Sequence, residues 1–285
     1  TAAAVATSAN ERGPAGAERP VHPTAGPRAS PSPLPDAPFE TLALSLAQRA
    51  DAGDSRAACR LAVELMRCQE IEDVLALTPE GEDLGQVIEL GMQRDGLHDE
   101  ADRWAEQNIW QIRRREQCRR LPEGMHARSW ELLRGAALAG EPEAMLRYAR
   151  GMALETGGNV PLRHPGLDNW RREAPAMMDR AFRDGHREAI LLLWFAYLTD
   201  DEPYSGLIPN DTARALALQI LSSRTRGVGM PPLDRYSASQ IAEAMRQAEA
   251  WHNDHFGGRV TAGSKDMGKL SPLSMYDPEA ALPCE

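Results

Sequence analysis

The chain of 285 residues has no long apolar run: the longest, Ala189 to Leu198, is about half of the ~18 residues that cross a bilayer. Membrane insertion by this chain is therefore excluded from the reading. It is short of positive charge, with 32 basic against 42 acidic side chains and a formal charge of -10. An acidic surface repels phosphate backbones, so general nucleic-acid binding is excluded as well. Lysine is nearly absent, since only Lys265 and Lys269 interrupt the arginines. With abundant Ala and Pro, that bias fits a GC-rich bacterial coding sequence. There is no GxSxG turn, and Gly227, Val228 and Gly229 lack the strand and the Lys of a phosphate loop, leaving a turn before Pro231. His252 and His255 share a helix end but have no neighbouring ligands in sequence to complete a metal site. No cofactor and no metal is expected, and no catalytic residue is named.

What is present begins with proline. Residues 1–38 hold eight of the 21 prolines among Ala, Gly, Ser and Thr, which offer little area to bury. Nothing there offsets the entropy of ordering, so a disordered linker is expected. With Thr1 rather than Met first, either a processed product or a stretch of something longer is expected, and a removed signal or anchor segment would explain the missing Met. A plain tail on a cytoplasmic protein is the other reading.

Four cysteines, Cys59, Cys68, Cys118 and Cys284, form no CxxC pair. Cys59 and Cys68 fall on one helix about 13 Å apart, too far to bridge. A disulfide, if there is one, joins Cys68 to Cys118, each near a helix end; buried, reduced thiols are the alternative.

Beyond the linker, apolar residues recur at i, i+3, i+4 and i+7. The stripes include Ala58, Leu61, Ala62 and Leu65; Leu84, Val87, Ile88 and Gly91; Ala101, Trp104, Ala105 and Asn108; and Met145, Tyr148, Ala149 and Met152. Four more follow, near Met178, Ile190, Leu216 and Ala244. No alternating strand pattern competes, so the chain reads as all-α. Thr78 with Pro79, Pro142 and Pro175 read as helix starts, Asn210 or Asp211 as a cap, and Ser237 with Gln240 as a capping box. One helical domain over residues 39–256 is expected, with an irregular tail over 257–285.

A small-residue motif recurs within it. Gly53, Gly140 and Gly185 are followed four residues later by Ala57, Ala144 and Ala189, and eight later by Leu61, Tyr148 and Leu193. A glycine that ends one helix and an alanine that lets the next approach closely explain the pattern. On these residues, above all Ala136, Ala137, Gly140, Ala144 and Tyr148, the chain resembles the Sel-like branch of the tetratricopeptide repeat family. The glycine spacings of 87 and 45, against the ~34 of a regular array, make any such repeats degenerate. The resemblance implies antiparallel helix pairs in an α-solenoid-like arrangement with irregular insertions, and a role in holding another protein.

Two features are candidates for meeting that partner. The run Arg113, Arg114, Arg115, Arg119 and Arg120 concentrates positive charge, although basic residues at a helix end also complement its dipole. Trp110 lies off its stripe and Trp170 follows a loop, so either serves as an anchor if exposed. The leading expectation is a non-catalytic protein-interaction module of the bacterial envelope, periplasmic or membrane-tethered. A cytoplasmic scaffold of the same fold and a helical enzyme acting on cell-wall polymer are the alternatives.

Overall fold

The computed structural model describes residues 38–76, 84–154, 163–198, 203–259 and 284. Among these residues there are ten α-helices and no strand. They are α1 (Phe39–Asp51), α2 (Ser55–Ala76), α3 (Leu84–Arg94), α4 (His98–Cys118), α5 (Ser129–Leu138), α6 (Pro142–Arg150), α7 (Leu167–Arg183), α8 (Arg187–Leu198), α9 (Thr212–Arg226) and α10 (Ala238–Phe256). The expected linker over 1–38 and the start at Thr78 and Pro79 lie outside the described residues, apart from Pro38. So does most of the tail.

Local chemistry sets the helix ends. Pro142 occupies the first turn of α6, where its missing N–H costs nothing. Of the two cap candidates, Asp211 is the one used, its carboxylate accepting from the Arg214 N–H at 2.9 Å. Ser237 and Gln240 close a capping box on α10. Pro175 departs from expectation: it lies inside α7, whose first turn begins at Leu167. Its missing N–H removes one helical hydrogen bond, the one to the carbonyl of Arg171.

Three elbows repeat one geometry. Gly53, Gly140 and Gly185 have φ of +92°, +90° and +84°, a left-handed conformation that turns α1 into α2, α5 into α6 and α7 into α8. Ala57, Ala144 and Ala189 begin the second helices and are fully buried. The neighbouring helix has no room to accept a larger side chain there.

Packing follows chain order with one interruption. α1 packs on α2, α2 on α5, α5 on α6, and each later helix on the next through α10. The interruption is the α3–α4 hairpin, inserted between α2 and α5. It accounts for the long first glycine interval. A core of Phe39, Leu46, Leu61, Leu65, Leu133, Tyr148, Met178, Ile190 and Leu216 runs through the series. The α3 stripe differs from its expected role, because Val87 is 56% exposed. Among the described helices α3 packs chiefly on α4.

Candidate interaction surface

The hairpin is held to α2 by a ladder of alternating charge and sulfur. Glu64, Cys68 and Glu72 stand four residues apart on α2 and so share a face. Opposite them on and just after α4 stand Arg114, Arg115, Cys118 and Arg119. Arg114 donates to Glu64, Arg115 Nε to Glu72 Oε2 at 3.0 Å, and Arg119 Nε to Glu72 Oε1 at 2.9 Å. Cys68 and Cys118 are bonded, with Cα atoms 5.7 Å apart. The Arg114 guanidinium also lies 3.4 Å from the centre of the Phe39 ring, which brings α1 into the joint. Burial pushes the Arg114 pKa down from its ordinary value, and the Glu64 carboxylate opposes that. The pair remains a buried ion pair, costly to break from one side.

This ladder corrects the partner-binding reading of the arginine run. Arg114, Arg115 and Arg119 are occupied within the chain and fasten α4 to α2. Arg113 and Arg120 are exposed and make no ion pair among the described residues. The carboxylate, thiol, carboxylate spacing on α2 was a readable signal. Matching it to α4 required knowing that the hairpin folds back.

The tryptophans divide similarly. Trp170 is corrected from anchor to core: it is 3% exposed, and its indole N–H donates to the carbonyls of Tyr148 at 2.9 Å and Ala149 at 3.2 Å. Both acceptors lie at the end of α6, where carbonyls need donors. Trp110 is half-buried on α4.

Sequence reasoning missed the second disulfide. Cys59 on α2 bonds Cys284, 225 residues away, and the Cys284 N–H donates to Glu143 on α6. The end of the chain is thereby fixed to α2 and α6. No spacing rule reports such a distance.

The hairpin exposes apolar residues among its charged ones. Val87 and Leu90 on α3 are 56% and 52% exposed, and Ile109 and Ile112 on α4 are 51% and 45% exposed, with Leu97 between the helices also exposed. Isolated apolar residues are ordinary on a surface, and here several share one small element.

Elsewhere, a pocket of about 350 Å³ opens at the Gly185 elbow, lined by Asp184, Arg187, Thr225, His255 and Arg259. Arg187 Nη2 donates to the Thr225 carbonyl at 3.0 Å, and His255 packs edge-on against Phe182. A carboxylate with a raised pKa is present at a different elbow. Burial holds Glu141 up, Arg56 opposes this, and Glu143 and Asp54 add to it. Glu141 does not line this pocket. Among the described residues no group of three His, Cys, Asp or Glu is placed to hold a metal ion. No helix among them is long and apolar enough to cross a membrane. Comparison with family models, with curated proteins and with solved structures finds no match to this chain.

Proposed function

We propose that the protein is a non-catalytic protein-interaction module built as an irregular α-solenoid of Sel-like helix pairs, with the α3–α4 hairpin as its contact element. The observation that carries the reading is the hairpin itself. It is clamped to α2 by two shared carboxylates and a disulfide, yet it presents Val87, Leu90, Ile109 and Ile112 to solvent. Exposed apolar residues on an element held this firmly support a protein contact there.

Support for the solenoid comes from the three glycine elbows, whose short turns suit antiparallel helix pairs, and from packing that proceeds neighbour to neighbour. The hairpin is then an insertion between the first two pairs. Support for an oxidising envelope compartment comes from the pairing of all four cysteines. The cytoplasmic and enzymatic alternatives have no comparable observation behind them.

The test is capture of a cross-linked partner by the full chain, compared with a Val87→Glu/Leu90→Glu variant. A protein enriched by the wild type and lost in the variant is the expected result. Equal capture by both, or hydrolysis of cell-wall polymer by the purified chain, rejects the reading. Thiol counting on unreduced protein, taken directly from the envelope fraction, checks the compartment.

A further inference from the structure

The charges on α4 are arranged in register with its exposed apolar residues. Asp99, Glu106, Arg113 and Arg120 recur every seven residues, so they form one stripe along α4 and its C-terminal turn. All four are exposed. Beside the stripe lie Asp102 and Ile109, seven residues apart, and Ile112 follows Ile109 by three, further round the helix. The stripe itself therefore runs from acidic at its start to basic at its end, with Ile109 beside its middle; Glu116, exposed on the row of Asp102 and Ile109, is paired with Arg119 of the same chain. Arg114, Arg115 and Arg119 point to α2 and take no part.

A surface ordered acid, apolar, base along a line is complementary to its own reverse. If two copies of α4 lie antiparallel about a two-fold axis passing between residues 109 and 110, residue 106 stands opposite 113 and residue 99 opposite 120. Both pairings unite an acid with an arginine, and the axis generates each of them twice. Ile109 falls beside the axis, with Ile112 a turn away, so the apolar contact is central and the charges flank it, as in a dimer interface. Antiparallel helices also oppose their dipoles favourably. The same register uses Arg113 and Arg120, the two members of the arginine run with no ion pair among the described residues.

We infer that α4 is a homodimerisation face: a second copy of this chain docks antiparallel on it, with Glu106 against Arg113 and Asp99 against Arg120 of the other copy. This rests on reading the hairpin as a contact element and names its occupant. One helix pair covers less than the roughly 800 Å² per partner of a standard interface, so the dimer is concentration-dependent. The flanking ion pairs make it weaken with salt.

Sedimentation equilibrium of the full chain, from low to high micromolar concentration, provides the test. The mass is expected to rise from 31.3 kDa toward twice that value. Glu106→Arg and Arg113→Glu each place like charges in contact twice and are expected to weaken the dimer about tenfold or more. Mixing the two single variants restores both pairings, one chain supplying two arginines and the other two glutamates, so the mixture is expected to dimerise where neither variant alone does. Far-UV circular dichroism verifies that each variant is folded, and Arg120→Asp supplies an independent arm at the outer pair. A wild type monomeric at every concentration, single variants that dimerise normally, or a mixture that stays monomeric each overturn the inference. None of these outcomes touches the capture experiment with the α3 variant, which decides the module reading separately.

Discussion

Tyr148 on α6 has no exposed surface, and its hydroxyl donates to Glu173 Oε2 on α7 at 2.7 Å. Arg134 on α5 grips the same carboxylate, its Nε reaching Oε2 at 2.8 Å. One carboxylate thus joins three successive helices. Burial and the Glu173 bond push the Tyr148 hydroxyl well above its ordinary range. The Arg134 hydrogen bond holds Glu173 below the 4.5 of an ordinary glutamate, although partial burial opposes it. Because its folded pKa is depressed, Glu173 contributes stability that is present above pH 4.5 and is lost as pH falls through the folded value. Glu173→Gln is therefore expected to be less stable than wild type at pH 7, with the gap narrowing toward pH 3. Urea midpoints across that range measure it, and a gap that stays constant contradicts the account. Tyr148→Phe is expected to cost about 1–2 kcal/mol at pH 7, as for a hydrogen bond to a charged group. The position of Tyr148 was legible from the motif, eight residues after Gly140. Its partner was not, because Glu173 is one acid among many in the sequence and lies 25 residues further along.

Helices and their joints were the most legible level, since apolar period and glycine placement are both written locally. The elbows at Gly53 and Gly140 imply helices before them, and α1 and α5 are those helices. What failed were statements about which side of a helix meets what. The α3 stripe is correct as a period yet uncovered, and the basic side of α4 faces inward because α2 offers Glu64 and Glu72 to it. Pro175 misled for a related reason, as the Met178 stripe starts late in a helix that begins eight residues before the proline. The elbows themselves differ in a way sequence cannot rank. A methyl group added at Gly53 meets nothing within 4 Å, whereas at Gly185 it would stand 2.5 Å from the His255 carbonyl oxygen of α10. Gly53→Ala is expected to lose about 1–2 kcal/mol, the cost of a left-handed residue alone. Gly185→Ala adds a clash with backbone that has no rotamer to change, so its loss is expected to be at least 1 kcal/mol greater. Chemical denaturation of the two variants compares them directly, and equal losses would disprove the contact between α10 and the α7–α8 elbow.

Across the whole molecule, neighbour-to-neighbour packing leaves the hairpin dependent on few attachments. α3 packs chiefly on α4, and α4 reaches the rest of the chain through α2 and α1. The two disulfides act on different parts of this arrangement: Cys68–Cys118 closes a loop of 50 residues containing the hairpin, and Cys59–Cys284 closes one of 225 spanning the series. Chain entropy assigns closures of those lengths about 4 and about 5 kcal/mol, with measured values commonly nearer 2–4. Their consequences for local motion differ more than their energies. Without Cys68–Cys118, α4 is held by the Arg114–Glu64 and Arg115–Glu72 pairs and by Arg114 against Phe39, while the packing from α5 to α10 is untouched. A Cys68→Ala/Cys118→Ala variant is therefore expected to exchange amide hydrogens faster in α3 and α4 at conditions where α6 to α9 keep their protection. Cys59→Ala/Cys284→Ala removes a clasp on α2 and α6 and is expected to leave α3 unchanged. Hydrogen exchange followed by peptide mass spectrometry separates the two patterns. Faster exchange spread evenly over all ten helices in the first variant would mean that the hairpin and the helix series unfold as one unit, which the sparse attachments of α3 and α4 argue against.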